Sequence, residues 1–409
     1  MTYEEAYKKL ETYGQLHVFR YYDELSEEQK AELLAQIEAT DFSVLSTREK
    51  EQGRHGERGV ITPMPAMELD EIRKREEEFR QIGLEAIKAG KIGAVLLAGG
   101  MGTRLGSDAP KGMYDIGLTK PVYIFERIIA NVMDVVKMSG VWIPFFVMTS
   151  DKNHDTTVRF FEEKNYFGYH KDFVFFFRQE MAPASDYDGK VYMEEKGKIS
   201  TSPNGNGGWY VSLERSGAGR KMRELGVEWM NVFAVDNVLQ RIADPCFVGA
   251  VIASDCASGS KVVRKAAPDE KVGVMCLEDG RPSIVEYYEL TEELMSTKDE
   301  KGDPAYNFGV ILNYLFRVKD LDAIMNHHLP LHVVEKKISY LDEEGQPVSP
   351  GQPNGYKYEQ LVLDMIHEMD SCLPFEVVRE REFAPIKNRT GTDSVESARA
   401  LLEKNGVSL

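Results

Sequence analysis

Leu96-Leu97-Ala98-Gly99-Gly100-Met101-Gly102-Thr103-Arg104-Leu105-Gly106 follows the apolar run Ile92-Gly93-Ala94-Val95 and precedes Pro110-Lys111-Gly112. A short apolar run that gives way to glycines reads as a strand buried on both faces opening into a loop. The glycines let backbone approach a ligand where a side chain would block it. Two familiar glycine signatures are excluded by spacing. A dinucleotide fingerprint needs G-x-G-x-x-G, but Gly100-x-Gly102 meets Leu105 at the third position, and no acidic residue clearly ends a following strand. A P-loop needs Gly-Lys-Ser/Thr, but Gly106 is followed by Ser107. What remains is a strand-to-helix loop whose N–H groups can hold phosphate oxygens, with Arg104 and Lys111 adding positive charge.

Outward from the loop, Pro144–Met148, Phe173–Phe177, Trp229–Val235 and Phe247–Ala253 have the same apolar texture and read as further strands. Helical stretches such as Val122–Met138 lie between some of them, which predicts an α/β layered domain with a mostly parallel sheet. Ligands in such sheets bind beyond the carboxyl ends of strands, where the glycine loop falls. Residues 1–90 read as a helical segment. Ser26-Glu27-Glu28-Gln29 is a capping box ahead of Ala31, Leu33, Leu34 and Ile37, and Asp70 to Ala89 is a second helix ended by Gly90. Arg48 to Pro65 reads as a loop. The catalytic domain is expected over 91–320 and a C-terminal domain over 321–409, with a polar connection at Leu341–Gly355 and a helix from Tyr356 to Asp370.

Composition narrows the function. With 409 residues the chain is long enough for two or three domains. The net charge of −17 opposes nucleic acid, so basic residues serving a phosphorylated substrate must gather locally in a cleft. Met1-Thr2-Tyr3-Glu4-Glu5 lacks a signal-peptide pattern, and there is no long apolar run to enter a membrane. Four cysteines without CxxC spacing fit a reducing cytoplasm, as small core residues. His327-His328-x-x-x-His332 invites a metal reading, but Pro330 breaks the helical spacing and no carboxylate lies nearby. The acidic runs at Glu76–Glu78 and Asp299–Glu300 read as solvated faces.

Glycines beside two cations suit nucleotidyl transfer, in which a phosphate oxygen attacks the α-phosphorus of a nucleoside triphosphate and pyrophosphate leaves. At this point the sequence resembles the eukaryotic-type UDP-sugar pyrophosphorylases, and within them the UDP-N-acetylhexosamine pyrophosphorylase family. The resemblance is carried by Leu97-Ala98-Gly99-Gly100-x-Gly102-Thr103-Arg104-Leu105-Gly106 and Pro110-Lys111-Gly112-Met113-Tyr114-Asp115. It continues through Met148-Thr149-Ser150, Asn165-Tyr166-Phe167-Gly168, Pro203-Asn204-Gly205-Asn206-Gly207-Gly208 and Val235-Asp236-Asn237. Val285-Glu286-Tyr287, Pro353-Asn354-Gly355 and Glu382-Phe383-Ala384-Pro385-Ile386-Lys387-Asn388 complete it.

The resemblance implies a Rossmann-like (GT-A-like) nucleotidyltransferase domain with a mixed sheet, flanked by an N-terminal helical segment and a small C-terminal domain. It implies Mg²⁺-dependent coupling of UTP to a sugar 1-phosphate, giving a UDP-sugar, here UDP-N-acetylglucosamine, and pyrophosphate. Ala98, Gly99, Gly100 and Gly205 would contact the nucleotide, and Gln179 would read uracil through an amide that both donates and accepts. Arg104, Lys111 and Lys387 would be catalytic, with Lys357 a further phosphate contact. Asp236 would hold Mg²⁺ at a strand end. Asn206, Gly273, Glu286 and Asn307 would meet the sugar.

The departures cluster around that sugar. Where the family shows Asn-Ala-Gly-Asn, this chain has Asn307-Phe308-Gly309-Val310, and valine cannot hydrogen-bond a hydroxyl. A Phe-x-Phe pattern becomes Leu361-Val362-Leu363, and Arg178 replaces the usual glutamine. Glucose or galactose 1-phosphate, or broad specificity, is therefore the alternative substrate reading. A nucleotide-sugar sensor without turnover and an oxidoreductase of similar fold are the more distant ones.

Overall fold

The structure is a computed structural model that describes residues 1–46, 58–325 and 329–409. His327 and His328 lie outside the described residues, as does most of the expected Arg48–Pro65 loop. The chain forms two compact units, one of Met1–Arg58, Glu180–Gly208 and His328–Val362, the other of Gly59–Gln179, Trp209–His327 and Leu363–Leu409. Expected boundaries at 90 and 320 run with the chain, whereas these units interleave it.

In the smaller unit, helices α1 (Tyr3–Thr12) and α2 (Glu27–Ala39) each open on a capping box, Thr2 with Glu5 and Ser26 with Gln29. Ala6, Leu10, Leu33 and Ile37 pack with Val191, Met193 and Ile199 into one apolar core. A three-stranded antiparallel sheet joins His332–Lys336, Gly355–Glu359 and Ser185–Asp186. The expected helix from Tyr356 is thus corrected: its first residues are strand, and the helix spans Val362–Glu368. Tyr356 and Tyr358 favour a pleated surface, and Tyr358 is buried with its hydroxyl 2.8 Å from Ser185 Oγ.

The larger unit is built on a ten-stranded sheet of β1 (Ile61–Pro63), β2 (Ile92–Leu97), β3 (Phe145–Thr149), β4 (Val174–Arg178), β5 (Trp229–Ala234), β6 (Ser258–Arg264), β7 (Val274–Glu278), β8 (Arg281–Val285), β9 (Phe308–Arg317) and β10 (Cys372–Glu376). Strands β5, β2, β3 and β4 run parallel, as expected of a buried α/β core. Long β9 pairs antiparallel with β5, β6 and β7, so the sheet is mixed. Helices α3 (Leu69–Lys88), α4 (Ile124–Ser139), α5 (His154–Glu163), α6 (Pro245–Ala253) and α7 (Val395–Lys404) also belong to this unit.

Helix α6 corrects the reading of Phe247–Ala253 as a strand. A run apolar on every side carries no periodicity to separate a buried helix from a buried strand. The deciding signal sits upstream, where the Asp244 carboxylate accepts from the Cys246 N–H and Pro245 occupies the first turn. Gly249 lets α6 approach α3 so closely that a β-carbon would lie 1.7 Å from the Phe79 carbonyl oxygen. The Asn165-Tyr166-Phe167-Gly168 motif is a left-handed turn that seats the Phe167 ring 5.5 Å from that of Phe161.

Candidate active site

Strand β2 delivers Ala98 to the sheet's carboxyl edge, where its N–H donates to the Met148 carbonyl at 2.9 Å. The loop then folds back on itself, Gly102 N–H donating to Ala109 O at 2.9 Å and Lys111 N–H to Gly100 O at 3.1 Å. Fully buried Asn153 braces it, donating to the Ala98 carbonyl at 2.9 Å and accepting from Ser150 N–H at 2.8 Å. The N–H groups of Gly99 and Gly100 donate to nothing among the described residues, and a β-carbon on Gly100 would meet open space. Backbone donors held in a rigid loop with no internal acceptor suit an anion.

Gly99 and Gln179 come together as expected. A β-carbon on Gly99 would lie 2.8 Å from Gln179 Oε1, while Gln179 is buried and its N–H donates to Thr149 O at 2.7 Å. Gly99→Ala should therefore displace the amide and raise KM for UTP about tenfold, the weight of a lost hydrogen bond or two. Because only a side-chain tip must move, the thermal midpoint should change little; initial rates and calorimetry on the same preparation check both.

The charged residues are brought together from three places. Asp236 lies two residues past β5, and the C-terminal segment is stitched onto that loop. Ile386 N–H donates to Asp236 O at 2.9 Å, Ala384 N–H to Asn237 Oδ1 at 2.9 Å, and Asn237 Nδ2 to Glu382 O at 2.7 Å. Lys387 thus emerges beside Asp236, its ammonium 3.1 Å from Asp393. Lys111, from the glycine loop, lies within electrostatic reach of Asp236, Arg104 and Lys387. Burial lowers the Lys111 pKa from its ordinary value; Asp236 opposes that shift, and the like charges of Arg104 and Lys387 reinforce it. A bound polyphosphate would relieve this crowding of positive charge.

On the expected sugar side, Gly273, Glu286 and Val310 share one spot. A β-carbon on Gly273 would sit 3.4 Å from a Val310 methyl and 3.6 Å from Glu286 Oε2, and Val310 N–H donates to Gly273 O at 2.8 Å. Asn307 instead lines a separate cavity of about 200 Å³ with Lys265, Pro268 and Tyr306. Gly205, Asn206 and Lys357 belong to the smaller unit. Gly205 has φ +86° and packs so tightly on Gln360 that a β-carbon would lie 2.1 Å from its carbonyl oxygen. Asn206 Oδ1 accepts from Val362 N–H at 2.9 Å, and Lys357 pairs in register with Val334. Arg178 turns to Asp155 at 3.1 Å.

Asn153 and the bracing role of Asn237 escape sequence reasoning. Asn153 could have been found as a helix-start residue three positions after Ser150, whereas the contacts of Asn237 with the C-terminal segment span 145 and 147 positions.

Known proteins resemble this chain along most of its length. The family described as UTP--glucose-1-phosphate uridylyltransferase matches residues 44–408. The mouse UDP-N-acetylhexosamine pyrophosphorylase-like protein 1 is 36% identical, over 94% of this chain and 80% of its own length. The UDP-N-acetylglucosamine pyrophosphorylase of Saccharomyces cerevisiae is 35% identical, over 97% and 88%. The Trypanosoma brucei uridine diphosphate N-acetylglucosamine pyrophosphorylase, solved with an inhibitor, superposes with a TM-score of 0.83 at 27% identity, covering 98% of this chain and 84% of that one. With its glycine loop, mixed sheet and near full-length match, the chain belongs to the UTP--glucose-1-phosphate uridylyltransferase family.

Proposed function

We propose that the protein joins UTP and N-acetylglucosamine 1-phosphate into UDP-N-acetylglucosamine, releasing pyrophosphate. The observation that carries this is the gathering of Arg104, Lys111, Lys387 and Asp236 beside a loop with unspent N–H donors. A sugar-phosphate oxygen forms a bond to the α-phosphorus of UTP as the bond to the β-phosphate bridging oxygen breaks. The three cations stabilise charge on the reacting and departing oxygens, while the glycine loop and Gln179 orient the nucleotide.

Asp236 fits the Mg²⁺ role. Its half-buried carboxylate makes no hydrogen bond or ion pair among the described residues, which also contain no cluster of three or more His, Cys, Asp or Glu side chains suited to a metal. One carboxylate completed by phosphates and water is how Mg²⁺ is commonly held. Bound there, the ion would neutralise phosphate charge.

A second reading, glucose 1-phosphate as the preferred substrate, is favoured by Val310 beside Gly273 and Glu286. A panel of sugar 1-phosphates with UTP, scored by pyrophosphate release, decides between them. We expect the N-acetylglucosamine ester to give the highest kcat/KM. A higher value for the glucose ester selects the second reading, and silence with folded protein across the panel refutes both.

A further inference from the structure

A cavity of about 410 Å³ in the larger unit holds four guanidinium groups: Arg80 of α3, Arg127 of α4, Arg241 ahead of α6, and Arg381 ahead of the Lys387 segment. None of Arg104, Lys111, Asp236 or Lys387 lines it. Elsewhere arginines find carboxylates, as Arg317 does with Asp255 and Asp320, and Arg223 with Glu214 and Asp322. Among the described residues none of the four cavity arginines has a carboxylate within 4.0 Å. Arg127 donates through Nη2 to Asn131 at 2.9 Å, yet its Nε is buried with no partner. Burial also pushes the Arg127 guanidinium below its ordinary pKa, by more than the nearby Asp134 and Glu126 offset.

The carboxylates on the wall compensate this charge only in part: Asp244 favours the charged form of Arg241, and Asp134 those of Arg127 and Arg241, without an ion pair to any of the four. Glu76 and Asp134 lie farther off than an ion pair, and Asp244 is engaged by Lys261 at 3.0 Å. In a chain of net charge −17, four guanidiniums against the three carboxylates Glu76, Asp134 and Asp244 leave a local positive excess around one hollow. Cys246 also lines the wall, but burial pushes its thiol up to about 12, so thiolate chemistry does not explain the site.

We propose that this cavity binds a small, multiply charged oxyanion of the pyrophosphate class, at a site separate from the catalytic cations. Guanidinium forks match such oxygens two at a time, and the volume suits a small ligand. The inference does not rest on the proposed reaction.

The test is calorimetric titration of inorganic pyrophosphate into the full chain carrying Arg104→Ala, Lys111→Ala and Lys387→Ala, which removes all three cations of the other phosphate site. We expect one pyrophosphate per chain, persisting in an equal concentration of sulfate. Adding Arg127→Gln and Arg381→Gln should weaken that binding at least tenfold. If the variant of half-buried Arg127 does not fold by circular dichroism, Arg80→Gln with Arg381→Gln, both exposed, takes its place with the same expectation. No binding in the stripped background, displacement by equal sulfate, or indifference to the arginine changes overturns the proposal.

Discussion

Lys387→Ala should lower kcat by about 10³-fold while UTP still binds, as expected for loss of a cation that acts on the reacting phosphates. Lys387 is not held by a long flexible tail. Hydrogen bonds from Asn237 to Glu382 O and from Ile386 N–H to Asp236 O fix the backbone on both sides of Pro385. The ion pair to Asp393 keeps the ammonium poised, and exchanging one carboxylate for a phosphate costs little at a half-exposed side chain. Single-turnover assays and equilibrium UTP titration separate the two effects. Near-normal turnover in this variant would falsify the assignment of Lys387, whereas equal losses in kcat and affinity would make it a binding residue.

Lys261→Met should cost about 3–5 kcal/mol of stability, because it strands two buried carboxylates. Lys261 is fully buried, its ammonium 3.0 Å from Asp244, 2.6 Å from Glu382 and 3.2 Å from the Arg241 carbonyl. Burial works against the Lys261 ammonium, but the two carboxylates outweigh it and raise the pKa. Burial likewise opposes ionisation of Asp244, yet Lys261 and Arg241 hold it below the usual range. Glu382 is shifted up, by burial and by sharing one ammonium with Asp244.

The signs follow from those directions. Lys261, raised, stabilises fully below its unfolded pKa and loses that share as pH rises through the folded value, above 10.5. Asp244, lowered, stabilises above its unfolded value and loses its share as pH falls through the folded one. In Lys261→Met the surplus negative charge is relieved by protonation, so the gap to wild type should narrow from pH 8 to about pH 5. Urea unfolding at the two pH values checks both statements. A loss below about 1 kcal/mol would show that the carboxylates find other partners.

Much of the site was legible in the sequence because its chemistry is local. The glycine loop announced itself through residues adjacent in sequence, and Arg104 and Lys111 travel with it. The parallel strands β2 to β4 were readable for the same reason, since burial on both faces leaves an unbroken apolar run. Helix α6 was misread because burial on all sides erases periodicity. The strand at Gly355–Glu359 was missed because its partner, His332–Lys336, lies across a polar connection that carries no register signal. Asn237 bracing the Lys387 segment was invisible because its partners are distant in sequence. The resemblance named Lys387, but only the fold explains how a residue near the C-terminus reaches Asp236.

The smaller unit has a consequence for how the chain is made. Its N-terminal helices close against partners synthesised far later: Gln15 donates to Gly189 O across 174 positions, and Arg20 pairs with Glu343 across 323. At ribosomal rates Gly189 follows by ~9–35 s and Glu343 by ~16–65 s, after α1 and α2 have left the exit tunnel. The unit that holds α1 and α2 is therefore completed only once its last segment, ending at Val362, has been made. For that interval its apolar faces, Leu10, Leu33 and Ile37 among them, stand uncovered and open to chaperones.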